Sequence, residues 1–344
     1  MTLTLQNVTK KYKDFTAVDN LNFSIQAGEI FGLIGQNGAG KTTTFRMILN
    51  LQQTTDGLIQ WNDQSIDVLN RDLLGYLPEE RGIYPKMKVE EQLYFFGELR
   101  GKTKKQLKPK VDYWLERFDL VEKRKAKAET LSKGNQQKVQ LIASFIHEPD
   151  FLILDEPFSG LDPVNRDLLM SAIMDLRDEG MTILFSSHQM DNVEELCDRL
   201  CILKKGKSLF SGDLQQLKEQ YGKINLRVRT AKTIPELQQL EGVEDVIVTK
   251  DGYTLRLQDE SFGPALFETL GNHSYMEKFS MDYLSLDEIF KLKVGATNEK
   301  NVVVIKTKLF TKSTGEVIHR HDIAIRRDYF SRAELEFDYV ALFK

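Results

Sequence analysis

Hydrophobic positions recur along this chain with two periods, and the places where the period changes divide it. Leu3, Leu5 and Val8, then Val18, Leu21, Phe23 and Ile25, alternate with polar residues. Period two predicts antiparallel strands with one buried face. Residues 29–34 are a short apolar run suited to a buried strand, and residues 43–49 read as a helix. A turn at 54–57 and a strand over 58–61 follow. From about residue 85 to residue 148 the period becomes helical: Val89, Leu93, Phe96 and Leu99 recur at helical spacing, as do Val111, Trp114, Leu115 and Phe118. Strand signals return at 151–154, 181–185 and 200–203, with helical segments between. An α/β core interrupted by a helical insert accounts for this order.

A second alternation begins near Gly222. Residues 224–228 read as a strand, 234–240 as a helix, and 243–248 and 253–257 as strands joined across Asp251-Gly252. Residues 262–270 are helical, 275–279 strand-like and 286–292 helical. The order βαββαβ plus a helix predicts a small ferredoxin-like α+β module. Residues 297–344 hold strand-like pieces at 302–305 and 323–325 but no motif, and the sequence assigns them no role.

Composition narrows the classes. The chain has 344 residues, 41% apolar and 28% charged, with a net charge of −4, which suits a globular protein of two domains and a short extra segment. The mild acidic balance argues against nucleic acid as a partner. Basic runs at 102–110 and 123–127 read as solvated helix faces. The two cysteines, Cys197 and Cys201, would share one face if that stretch were helical; without a neighbouring His or Cys cluster they read as small buried residues rather than a metal site. The N-terminus lacks the pattern of a signal peptide, and no apolar run approaches the roughly 20 residues that span a bilayer. A cytoplasmic chain is expected, with any membrane role coming through a partner.

The chemistry concentrates at residues 35–43, Gly-Gln-Asn-Gly-Ala-Gly-Lys-Thr-Thr. Glycines at Gly35, Gly38 and Gly40, with Asn37 and Ala39 between them, let the backbone bring its N–H groups up to a polyphosphate. Lys41 can reach the β/γ-phosphates, the Thr42 hydroxyl can ligate Mg²⁺, and Thr43 continues into a helix whose N-terminus faces the anion. Asp155 and Glu156 follow the apolar run 151–154, at a strand end where open α/β sheets bind ligands. Asp155 suits Mg²⁺ and Glu156 is placed to polarise an attacking water. Leu131-Ser132-Lys133-Gly134-Asn135 precedes the helical run 137–146, with Ser132 a good N-cap.

Taken together, motif order and spacing across residues 1–215 resemble the nucleotide-binding subunit of ATP-binding cassette (ABC) transporters. The resemblance implies a P-loop NTPase domain of ABC type over residues 1–221, with an antiparallel β subdomain and the helical insert. The small domain at 222–296 resembles an accessory domain of the bacterial exporter-type subgroup, and 297–344 lie outside the resemblance. The family's signature, Leu-Ser-Gly-Gly-Gln, stands here as Leu131 to Asn135, keeping Ser132 and Gly134 but not the second glycine or the glutamine. In the family it contacts ATP held by the other subunit of a head-to-tail dimer. Asp162, in Ser159-Gly160-Leu161-Asp162, looks like the loop linking the two sites. His188 looks like the switch histidine that holds the γ-phosphate. Tyr12 looks like the aromatic that stacks on adenine, with Phe15 the competitor. The family's glutamine ahead of the helical insert is replaced by Glu79, which a carboxylate's oxygens still fit for Mg²⁺.

By this resemblance the chain is an ATP hydrolase using ATP and Mg²⁺, with Lys41, Glu156 and His188 catalytic and Thr42, Glu79 and Asp155 on the metal. It would act as a homodimer or beside a related ATPase subunit, on the inner face of the cell membrane. An integral membrane permease would contact Tyr84, Pro85 and Met87, and export of an ion, drug or other small solute is expected. The alternatives are a soluble ABC ATPase outside transport, disfavoured by a single phosphate loop and no long heptads, and a weakly active regulatory subunit.

Overall fold

The structure is a computed structural model that describes residues 2–68, 71–80, 82–271 and 276–295, together with the backbone of two strands near the C-terminus. Its contacts divide the chain into residues 1–290 and residues 291–344.

The first unit opens with β1 (Leu3–Tyr12) and β2 (Phe15–Ile25), paired antiparallel with Leu5 opposite Phe23. Register shifts fall between Leu5 and Val8, where Asn7 takes a left-handed backbone (φ 51°). That conformation is tolerable for asparagine, and the bulge buries both Leu5 and Val8 although they are three residues apart. Next come β3 (Ile30–Gly35), α1 (Lys41–Ile48), β4 (Asp56–Trp61), β5 (Gln64–Ser65) and β6 (Leu74–Leu77). The order β2-β1-β4-β5 makes a four-stranded antiparallel sheet, as the alternation predicts.

The insert consists of α2 (Val89–Glu98), α3 (Lys104–Arg117) and α4 (Lys133–Phe145). Thr103 and Gln106 form a capping box for α3, and Val111, Trp114, Leu115 and Phe118 are all buried. The expected helical stripe of α2 fails at its last member. Leu99 is the C-cap and is 62% exposed, because the helix has ended there and no longer presents its inner face. Gly97 closes the packing instead: a Cβ there would lie 2.5 Å from the Leu107 side chain.

The core resumes with β7 (Phe151–Asp155), α5 (Pro163–Asp178), β8 (Thr182–Ser187), α6 (Met190–Leu196), β9 (Arg199–Lys204), β10 (Lys207–Asp213) and α7 (Leu214–Glu219). The six-stranded sheet runs β10-β9-β3-β8-β7-β6, parallel except for the edge strand β10. Its central strands β3, β7 and β8 are buried at every position, which is why they read as continuous apolar runs. Strand β10 has no apolar run or clear alternation and escaped the pattern. Cys197 ends α6 while Cys201 lies inside β9, so they share no helix; both are buried. Burial pushes the Cys201 thiol up to about 12 and raises that of Cys197 as well, so neither is a reactive thiolate.

Strand β11 (Asn225–Arg229), α8 (Ile234–Gln238), β12 (Val243–Thr249), β13 (Gly252–Leu257), α9 (Gly263–Gly271), β14 (Lys278–Asp282) and α10 (Leu286–Val294) follow in the predicted order. The fully antiparallel sheet β12-β13-β11-β14 has the ferredoxin-like arrangement. Leu226, Val228, Leu237, Leu255, Leu257, Leu266 and Leu270 form its core. The last strand begins later than residues 275–279 suggested, and Tyr275 lies outside the described residues. Strands β15 (Val302–Phe310) and β16 (Val317–Arg326) pair antiparallel. They include the strand-like pieces at 302–305 and 323–325; the rest of 297–344 lies outside the described residues.

Candidate functional site

Strand β3 delivers the chain at Gly35 and α1 takes it up at Lys41. The five residues between must turn tightly against β2. Gly40 has φ 108°, and a Cβ there would lie 2.7 Å from the Ala17 carbonyl oxygen, so both backbone conformation and space require glycine. Asn37 and Gly38 are exposed while Ala39 is buried, its N–H donating to the Gln36 carbonyl at 3.0 Å. Lys41 is buried, and its ammonium donates to the Gly35 carbonyl at 2.7 Å. The lysine is thereby folded along the loop it would serve. Thr43, partly buried, extends the first turn of the helix, whose N-terminus has no side-chain cap and so leaves N–H groups free for an anion.

Parallel pairing of β7 with β8 sets Asp155 opposite Ser186. The Ser186 hydroxyl donates to Asp155 Oδ1 at 2.6 Å, and the Glu156 backbone N–H donates to the same hydroxyl at 3.1 Å. The Thr42 hydroxyl donates to Asp155 Oδ2 at 3.2 Å, joining the phosphate loop to the strand end. Burial raises the Asp155 carboxyl above its ordinary value, against the lowering effect of these two hydrogen bonds. A buried carboxylate so disposed gains from a cation. Thr42 and Asp155 offer the hard oxygen ligands that Mg²⁺ takes.

Glu156 has a left-handed backbone (φ 50°) and is buried. That conformation is uncommon for a residue with a Cβ and is held by its surroundings. His188 supplies them: its Nδ1 lies 2.8 Å from Glu156 Oε2, and its backbone N–H donates to the same oxygen at 3.3 Å. The histidine side chain is otherwise 56% exposed, so one face grips Glu156 while the other is open.

Thus Lys41, Thr42, Asp155, Glu156 and His188 converge at adjacent ends of β3, β7 and β8. The signature does not join them. The Ser132 hydroxyl accepts from the Asn135 N–H at 3.3 Å and caps α4. Gly134 packs toward Asn165, whose Nδ2 would lie 3.1 Å from a Cβ there. Asp162 caps α5 by accepting from the Asn165 N–H at 3.0 Å, a bond that holds its carboxyl below the ordinary value. Tyr12 and Phe15 face each other across the β1–β2 hairpin; they are 41% and 62% exposed. Tyr12 accepts a hydrogen bond from Gln52 and lies under the Lys10 ammonium, while Phe15 is the freer ring.

Glu79 is exposed on the loop after β6. Sequence reasoning missed what holds that loop. The buried Gln140 of α4 donates from Nε2 to the Pro78 and Glu80 carbonyls, each at 3.2 Å. Ser186 was missed as a participant too. A hydroxyl on the strand beside a strand-end carboxylate is the signal that could have found it. Tyr84 stacks on Phe96 and meets Phe95 edge-on, with its N–H donating to Gln92 at 2.8 Å. Among the described residues, no helix is long and apolar enough to cross a membrane.

Residues 18–159 match the ABC transporter family, and residues 212–294 match the C-terminal domain of DrrA1-3-like ATP-binding proteins. An uncharacterized ABC transporter ATP-binding protein of Bacillus subtilis, YhaQ, is 46% identical over 86% of this chain and 100% of its own length. The linearmycin resistance ATP-binding protein LnrL of the same organism is 34% identical over 72% of this chain and 82% of its own. A solved ATP-binding subunit of an ABC transporter, 29% identical, covers 64% of this chain and 93% of its own with a TM-score of 0.60. This chain belongs to the ABC transporter ATP-binding proteins, and it is the ATP-hydrolysing subunit that powers a transporter.

Proposed function

We propose that the chain binds ATP with Mg²⁺ at residues 35–43 and hydrolyses it at the γ-phosphate, working as half of a composite dimer site. The observation that carries this reading is the grip of His188 on Glu156 beside Asp155 and Thr42. Mg²⁺, held by Thr42 and Asp155, would offset charge on the phosphate oxygens; Glu79 is a further candidate ligand. Lys41 leaves the Gly35 carbonyl and turns to the β/γ-phosphates. Glu156 orients a water for in-line attack, and its strained backbone fixes the carboxylate's direction without further reorganisation. His188 keeps that carboxylate in place and offers its open face to the γ-phosphate. Tyr12 or Phe15 stacks on the adenine, a contact of about 1–3 kcal/mol.

The arrangement of the signature supports a dimer. Ser132 caps its own helix through the Asn135 N–H and Gly134 packs toward Asn165, so a second copy or a related subunit would supply the signature to this chain's phosphate loop, with Asp162 linking the two sites. The aromatic surface at Tyr84, together with Pro85 and Met87, suits the contact with an integral membrane permease that would hold the chain at the inner face of the membrane. The name of LnrL, a resistance protein, supports export.

The test uses Glu156→Gln. With ATP and Mg²⁺ this variant is expected to run as a dimer on size-exclusion chromatography and to return to a monomer when Ser132→Ala is added. A monomer throughout, or wild-type turnover in Glu156→Gln, overturns the reading.

A further inference from the structure

The helix that follows His188 is held from two sides. Toward α5, the Arg166 guanidinium donates to Asn192 Oδ1 at 2.6 Å and to Glu195 Oε2 at 2.7 Å. On its other side, Glu194 Oε2 accepts from the Lys218 ammonium of α7 at 2.8 Å, and Glu194 Oε1 accepts the Leu286 backbone N–H at the start of α10, in the accessory domain. Lys218 and Glu194 are partly buried, with side chains 19% and 26% exposed. The accessory side of this contact is itself fixed. The Ser285 N–H and hydroxyl donate to Glu288 Oε2 at 2.9 and 3.0 Å, and Leu286 is fully buried. Between the two grips lies a polar cleft of about 520 Å³, lined among others by Arg166, His188, Asp191, Ser285 and Asp287.

We propose that Glu194 is a positioning residue for His188. Its carboxylate ties the helix after the histidine to the accessory domain, so that domain sets how the histidine meets the γ-phosphate. The geometry leaves little slack. α6 begins only two residues after His188, and it is seven residues long, so a shift of its Glu194 face displaces the loop that carries the imidazole. Helices are stiff, and a packed element moves as a unit. The accessory domain thereby has a part in hydrolysis without contributing a group to the nucleotide.

This inference rests on His188 reading the γ-phosphate, so the experiment tests both separately. In the full-length chain, affinities for ADP and for a non-hydrolysable ATP analogue are measured for wild type, His188→Ala, Glu194→Ala, Glu194→Gln and the double variant His188→Ala/Glu194→Ala. His188→Ala is expected to weaken the analogue about tenfold and leave ADP unchanged, the size of one hydrogen bond to a charged group. Glu194→Ala weakens the analogue several-fold with ADP unchanged and lowers kcat. Glu194→Gln keeps an acceptor for the Leu286 N–H and restores most of the analogue affinity. Added to His188→Ala, Glu194→Ala changes nothing further, because its effect passes through the missing imidazole. If His188→Ala weakens the analogue and Glu194→Ala does not, the clamp is wrong. It is equally wrong if Glu194→Ala weakens both nucleotides alike, or adds its full effect in the double variant. An unchanged His188→Ala removes the reading of the site, and the clamp with it.

Discussion

Glu156 in the cassette and Glu288 in the accessory domain are both withdrawn from solvent, yet the two regions treat a carboxylate in opposite ways. Glu288 receives Asn225, Arg256 and both the N–H and hydroxyl of Ser285. Burial pushes its pKa upward, but the Ser285 and Arg256 contacts outweigh that, and the carboxyl lies below its ordinary value. Glu156 has no Lys or Arg beside it among the described ion pairs, only the grip of His188 on one oxygen, and a left-handed backbone besides. The histidines divide by exposure rather than by how fully they are bonded. His147 is buried, 4% exposed, with Nε2 on the Leu74 carbonyl and Nδ1 without a partner, whereas His188 is half open. A carboxylate with its bonds satisfied and an imidazole sealed from solvent hold the fold together, whereas an under-bonded carboxylate beside an open imidazole can meet a substrate.

Exchanging the two carboxylates for amides gives the sharpest test of this contrast. Glu156→Gln is expected to lower turnover by about 10²-fold or more, the range for a positioned acid–base group, while melting at or above the wild-type temperature. A turnover loss matched by a fall in melting temperature would place Glu156 with the structural group.

The histidines are separated by pH. The folded state holds His147 near 4, against 6.5 for the free side chain, chiefly through burial. The unfolded chain therefore takes up a proton below about 6.5 that the folded state refuses. The stabilisation is complete above that pH and is lost as pH falls to about 4, a change of about 3 kcal/mol at roughly 1.4 kcal/mol per pH unit. Denaturant melts of wild type and His147→Gln across pH 7.5 to 4 should diverge from one another by that amount, and parallel curves would refute it.

Glu288→Gln should cost about 2 kcal/mol, since it unpairs Arg256 in a partly buried setting while keeping an acceptor for Ser285. Turnover per folded molecule stays near wild type, and a kinetic defect without a stability loss would reverse the assignment. The smallest effect belongs to Asp162, which combines both roles. Asp162→Ala should lower the melting temperature slightly as a lost N-cap, and Asp162→Asn should restore it. If Asp162→Asn melts normally yet hydrolyses ATP with lost cooperativity, the linking role stands apart from the cap.

The parts of the site that were legible in advance are those that local sequence encodes. The phosphate loop is contiguous, so its glycines, Lys41 and Thr42 announce themselves, and Asp155 and Glu156 end an apolar run. Ser186, Gln140 and Glu194 were not legible in their roles, because each acts on residues 24 to 92 positions away. Their partners depend on the register of β7 against β8, on the packing of α4 over the loop after β6, and on where the accessory domain sits. Leu99 and the cysteines misled for a related reason. Spacing predicts a shared face only while one element continues, and in both places the helix stops.

By itself the sequence determined most of the succession of strands and helices, the ferredoxin-like order of the second domain and the glycine-rich turn between β3 and α1. Short-range periodicity and backbone freedom are properties of neighbouring residues. The tertiary structure alone decided that Ser186 bridges Asp155 and Glu156, that His188 clasps Glu156, and that the accessory domain reaches the helix beyond it. Those contacts exist only once parallel strands settle their register and buried polar groups find partners, which no local pattern can specify.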